Sequence, residues 1–188
     1  MDSAIEDKKT LVIDFHAKIN EETVRRFRDY VSDLIKKQSP EVMYLALSST
    51  GGANKSAFVL YNFLLSLDFQ LLTHCTGIVD SCAVSILLAG ATRYANPTSR
   101  LLIHAPTWTL EAKTEFSTAK LKEYVQMMEW DQQAHETIMR ERTTATAEQI
   151  AEWHHPGKVL TVEEALHHGF VQEVRQFIRP KNVHRFSD

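Results

Sequence analysis

Three short stretches hold the residue types that could do covalent chemistry. Ser81 lies in Gly77-Ile78-Val79-Asp80-Ser81-Cys82-Ala83, at the head of an apolar run that reaches Ala89-Gly90. A serine at a helix start sits among free N–H groups and partial positive charge. Its oxygen can turn toward the space above neighbouring strand ends, and the N–H of Cys82 would point to the same place. His104 closes Arg100-Leu101-Leu102-Ile103-His104-Ala105-Pro106, which reads as a buried strand. An imidazole there could serve as general base to an adjacent hydroxyl. Gly51-Gly52 follows another apolar run. With no side chains, its backbone N–H can approach a carbonyl closely. Two such donors form an oxyanion hole, each typically worth about 3 kcal/mol in a transition state.

Each signal has a plainer reading. A serine at a helix start is commonly an N-cap, a Gly-Gly pair after a strand a turn, and a histidine at a strand end a satisfied structural residue. Cys82 beside Ser81 is expected to point into the packed helix as a small buried residue rather than act as a nucleophile. His154-His155 and His167-His168 lack a thiolate or carboxylate at ligand spacing, and adjacent residues on a helix diverge, so no metal site and no cofactor are expected. Asp80 adjoins Ser81, but adjacency does not put it behind His104.

The surrounding elements must bring these groups together. Residues 11–15 read as a strand, and Asn20 caps a helix whose Val24, Phe27, Val31, Leu34 and Ile35 share one face. Residues 42–47 form a nearly continuous apolar strand, the pattern of a sheet covered on both sides. A helix opening at Asn54 or Ser56 follows. The next strand, 70–75, is expected to break at Gly77, and the next helix to begin at Ser81. Residues 93–95 and 100–104 are further strands. This alternation predicts an α/β fold with mostly parallel pairing. Ligands in such sheets meet the carboxyl ends of strands, where Gly51-Gly52, Ser81 and His104 all fall. Residues 115–142 predict one helix roughly 40 Å long, more than a small α/β layer needs, so it is expected to project or to pack on another subunit. Two capping boxes start short helices at Thr146 and Thr161, and a closing strand follows Gly169.

The bulk properties narrow the class. A chain of 188 residues with 44% hydrophobic and 24% charged content fits one soluble domain. A net charge of −3 gives no support for nucleic-acid binding. No apolar run could span a bilayer, and no secretory leader is visible. Two cysteines in apolar segments suit a reduced cytoplasmic setting. Residues 1–9 and 179–188 are expected to be flexible ends of the single domain.

Taken in order, strand–Gly-Gly–helix, then Gly-x-x-x-Ser-x-Ala opening a helix, then Pro-x-Ser-Arg-x-x-x-His-x-Pro resembles the proteolytic subunit of the Clp protease. The likeness is dense over 42–106 and returns at 148–150 and 160–171. It implies a spiral of strand–strand–helix units, shared with crotonases, with a long handle helix in the region 112–145 through which two rings stack. It implies a serine endopeptidase with Ser81 as nucleophile, His104 as base, and the N–H groups of Gly51 and Cys82 as oxyanion hole. It also implies self-association into rings, a peptide or unfolded-protein substrate, and an AAA+ ATPase partner.

Two departures bear on that reading. The position that counts to the triad aspartate is Gly157, and no Asp lies between Asp131 and Asp188. The triad carboxylate fixes the histidine tautomer and stabilises the imidazolium; exchanging it for an amide can cost about 10⁴-fold. A Ser-His pair helped by a backbone carbonyl, Glu152 or a nearby histidine is one outcome, and a non-catalytic structural homologue is another. The third is a crotonase-like acyl-CoA enzyme using the Gly-Gly loop alone, against which the Ser81–His104 pairing argues. The second departure is that only Met1 to Lys9 precede the first strand, where the family carries a longer pore-lining segment that touches the ATPase. That argues against docking by this route.

Overall fold

In the computed structural model, residues 8–108 and 117–187 are described. The core is a sheet in the order β6-β5-β3-β2-β1-β8, with β4 on the other half of β3 and β7 beyond β4. The strands are β1 (Thr10–His16), β2 (Val42–Ser49), β3 (Gln70–Asp80), β4 (Thr92–Ala95), β5 (Arg100–Ile103), β6 (Lys158–Leu160), β7 (Glu173–Val174) and β8 (His184–Ser187). All pairings are parallel except β5 with β6. The α/β fold expected from the alternation is therefore present.

β2 is buried on both faces, which is why its sequence lacks alternation. Met43, Leu45 and Leu47 join the main core beneath the helices. Val42 and Tyr44 join a smaller cluster on the opposite face with Val12, Leu72 and Tyr94. Helix α1 (Glu21–Gln38) begins where the Asn20 side chain accepts the Thr23 N–H, carries Glu21 and Glu22 in its first turn and Lys36 and Lys37 in its last, and buries Val24, Phe27, Val31 and Leu34. Helix α2 (Asn54–Leu65) packs beside it and α3 (Ala83–Leu88) beside α2, and every residue of α3 is buried.

β3 departs from expectation and matters most for the site. Gly77 does not break it; the strand runs on to Asp80. Its first half, Leu72 to Cys75, pairs with β4, and its second half, Ile78 to Asp80, pairs with β5. Gly77 lies where the partner changes, beside a register shift in β2 between Leu47 and Ser49. A Cβ at Gly77 would stand 3.1 Å from Ser48 Oγ, so the glycine lets β3 pass the irregularity.

Helix α4 (Thr118–Arg142) starts at the Ser117 cap, inside the expected long helix; residues 115 and 116 lie outside the described residues. Only His135, Ile138 and Met139 are buried on it. Leu121, Val125, Met127 and Trp130 are exposed. Its far end is anchored by buried Arg93, which donates to the carbonyls of Gly90, Arg142, Gly169 and Phe170. Burial, then the charge of Arg142, lowers the Arg93 pKa to about 10, so it stays a cation.

The tail is a second correction. It does not fray: β8 pairs in parallel with β1, and Phe186 stacks on Phe15 at 5.5 Å and meets Phe27 edge-on at 5.0 Å. One buried aromatic holds a segment whose remaining residues are polar. No helix among the described residues is long and apolar enough to cross a membrane.

Candidate active site

Ser81 and His104 lie at the same carboxyl edge of two neighbouring parallel strands. The β3–β5 ladder pairs Ile78 with Arg100, Val79 with Leu101 and Asp80 with Leu102. One step beyond, the Ser81 N–H donates to the Leu102 carbonyl at 2.7 Å. His104 is two residues past Leu102. Adjacent strands run about 4.8 Å apart, so the backbones of the two residues leave the sheet at neighbouring strand ends. Both residues are partly exposed.

The turn at Ser81 is tighter than a helix start. Ser81 has φ 58°, Cys82 is the N-cap, and α3 proper begins at Ala83. A non-glycine residue in this region is strained and persists only when its surroundings over-determine it. A sharp strand-to-helix turn of this kind holds a side chain up from the sheet rather than in the strand's alternation. Sequence alone places Ser81 correctly at the strand–helix junction but misses its backbone conformation.

Gly51 explains why the loop beneath carries no side chain. Its φ is 80°, and a Cβ there would lie 2.6 Å from the Asp80 carbonyl oxygen, 2.9 Å from Ser81 Cβ and 3.4 Å from the Cys82 nitrogen. The Gly51 N–H donates to Ser49 Oγ at 3.1 Å, and that hydroxyl donates onward to the Ala17 carbonyl at 2.7 Å. The donor expected from sequence is thus engaged within the protein. The Gly52 N–H, with the N–H of Cys82, faces the Cys82 sulfur, a weak acceptor. Burial drives the Cys82 thiol up to about 12, with those two amides opposing it, so the thiol is inert at neutral pH.

His104 has a definite orientation. Its Nδ1 lies 2.7 Å from the Ala105 carbonyl oxygen. A carbonyl only accepts, so Nδ1 donates, and in the neutral ring Nε2 is the nitrogen with the lone pair. No carboxylate contacts the ring among the described residues. Gly157, the position that counts to the family aspartate, adjoins it: a Cβ there would stand 3.5 Å from His104 Cβ. At that point the chain passes beside His104 and offers no side chain.

Two further imidazoles pack behind His104. The Ala105 N–H donates to the His154 carbonyl at 3.1 Å, and His154 Nδ1 donates to Ile150 O at 2.8 Å. His135 meets the His154 ring edge-on at 5.8 Å. Burial lowers the pKa of both, that of His135 to about 3 with the charges of His154 and His104 adding to it. His154 is therefore neutral near pH 7, and Glu136, 3.6 Å from its Nδ1, is a polar neighbour rather than an ion partner. Neither histidine was singled out from its sequence position in this role; His135 sits mid-helix with no local mark.

Beside the Gly52 amide a cleft of about 580 Å³ opens between the start of α2 and α4, walled by Gly52, Lys55, Trp108, Met127, Trp130 and Asp131. Burial raises the Asp131 carboxyl, opposed by a hydrogen bond from Asn54 at 3.4 Å.

The Clp protease family model matches residues 6–177. The chain belongs to the Clp protease family. ATP-dependent Clp protease proteolytic subunit 1 of Corynebacterium glutamicum is 32% identical over 143 residues, covering 73% of this chain and 65% of that protein. ATP-dependent Clp protease proteolytic subunit 1 of Tropheryma whipplei is 27% identical over 137 residues, covering 71% and 63%. The chain spans a little under two thirds of the length of these curated relatives. The described α/β sheet is consistent with the Clp protease fold, and family membership fits the resemblance drawn from residues 42–106.

Proposed function

We infer that this Clp-family chain is a serine endopeptidase subunit acting through a Ser81–His104 dyad. The observation that carries this is the juxtaposition of the two residues on adjacent strand ends, with His104 held in the base tautomer by the Ala105 carbonyl. Nε2 takes the Ser81 proton as Oγ attacks the peptide carbonyl. The carbonyl oxygen becomes an oxyanion facing the N–H groups of Cys82 and Gly52, with side-chain-free Gly51 leaving room for it. His104 then returns the proton to the leaving amine, and water hydrolyses the acyl-enzyme by the reverse sequence. The Ala105 carbonyl orients the ring but supplies less charge than a carboxylate, so turnover is slow for a Ser-His mechanism.

Substrate side chains lie in the cleft bounded by Trp108, Met127 and Trp130, and substrates are peptides or unfolded chains. Subunits assemble into rings that stack through α4, in the cytoplasm, where buried Cys75 and Cys82 stay reduced. Family membership also supports an AAA+ ATPase partner. A catalytically silent structural subunit is the second reading, favoured by the bare Gly157 beside His104.

A fluorophosphonate probe separates the two. Covalent labelling at Ser81, and loss of peptidase activity in Ser81→Ala by at least 100-fold with assembly intact, support the peptidase. An intact ring that takes no label supports the silent subunit. Unchanged turnover in Ser81→Ala removes Ser81 as nucleophile.

A further inference from the structure

The Pro-x-Ser-Arg-x-x-x-His stretch contains an arginine to which the reaction above gives no task. Arg100 opens β5, the strand that ends at Ile103 just before His104, and Asp80 ends β3, immediately before Ser81. The guanidinium grips the carboxylate with both tines: Nη1 to Oδ1 at 2.8 Å and Nη2 to Oδ2 at 3.1 Å. In the ladder Asp80 stands opposite Leu102 and Arg100 opposite Ile78, so the pair crosses diagonally between the strands.

We propose that Asp80 and Arg100 are positioning residues that fix the height of the Ser81 turn against His104, an inference that rests on the dyad reading. The β3–β5 ladder has only three register pairs, and the other edge of β5 meets only the three-residue β6. Buried Leu101 and Ile103 decide which face of β5 turns inward, and with so few backbone bonds the side-chain fork is what pins the strand's height at the Ser81 end. A slip of one residue moves β5 by about 3.3 Å and breaks both tines. The side chain of Asp80 is 10% exposed and that of Arg100 is 41%. The outer half of the pair is screened by solvent, so its contribution is directional rather than electrostatic. The fork also immobilises the residue just before Ser81, whose φ of 58° needs support from both sides. On the far side that support is the Ser81 N–H bond to Leu102.

The test uses the full chain in its native assembly. Asp80→Asn, Arg100→Gln, the double variant of these two, and Arg100→Lys are compared with the parent. Amide exchange at Ser81 is followed with Leu45 of central β2 as internal reference, alongside the rate of fluorophosphonate labelling. Each single change should speed Ser81 exchange at least 10-fold with Leu45 unaffected, and slow labelling at least 10-fold. The double variant should be no worse than either single. Arg100→Lys, which keeps the charge without the fork, should behave like Arg100→Gln, and it carries the test if Asp80→Asn does not fold. Ser81 exchange within two-fold of the parent in any folded variant overturns the proposal, as does faster exchange with undiminished labelling. If the parent takes no label while the exchange pattern appears, the clamp on the turn stands and the nucleophile assignment fails.

Discussion

Gly157 brings the backbone beside His104 Cβ and carries no functional group. Its φ of 115° lies where a side chain is strained, at a cost of about 1–3 kcal/mol. Gly157→Asp would put a carboxylate beside Nδ1 in place of the Ala105 carbonyl. The expected result is a rise in kcat of at least 10-fold on a short peptide, with a lower melting temperature; a lower melting temperature without the rise means the ring is already fully supported. At this scale the sequence was readable for residue type and order. Ser81, His104 and the Gly-Gly loop fall at neighbouring ends of β3, β5 and β2, and Gly157 adjoins His104. What it did not reveal is backbone detail: the left-handed turn at Ser81, the Gly51 N–H held by Ser49, and the carbonyl that orients His104. The last two are contacts between residues at most two apart, set by backbone conformation that residue type alone does not record.

Among the elements, α4 carries apolar side chains that the described residues leave exposed. Val125 is 54% exposed and Trp130 61%, on a helix of 25 residues that is buried only near its far end. Such exposure is what the proposed stacking of rings through α4 requires. Leu121→Glu combined with Val125→Glu should lower the particle mass in light scattering, with the helical circular dichroism retained. An unchanged mass would place the contact elsewhere. The periodic helices and the unbroken apolar run of β2 were legible because burial imposes their patterns directly. β8 was not, since its polar residues outnumber its single anchor, Phe186, whose partners Phe15 and Phe27 lie far away in the chain. β3 was read too short because a glycine in a strand commonly signals an end, whereas Gly77 marks a change of partner.

For the molecule as a whole, buried neutral histidines set the response to acid. Burial lowers the pKa of His74 to about 4 and that of His135 to about 3. The unfolded chain protonates both near pH 6.5, where the folded chain does not. It therefore binds more protons between those limits, and stability falls as pH drops below about 6.5 and continues to fall toward pH 4. Each histidine should cost on the order of 2 kcal/mol between pH 6.5 and 5. Urea midpoints should fall over that range, and His135→Gln should flatten the slope; a slope unchanged in that variant would assign the acid sensitivity to other groups. The α/β class and the site at the strand ends followed from rhythm alone, while the fork of β3 into two ladders required coordinates. The closing strand has a further implication. Because β8 sits against β1 with the Phe186 ring wedged over Phe15 and Phe27, a carboxypeptidase trimming past that ring would bare a row of main-chain donors and acceptors along β1. The shortened chains should then adhere rim to rim, and turbidity should appear at temperatures where the interior is still intact.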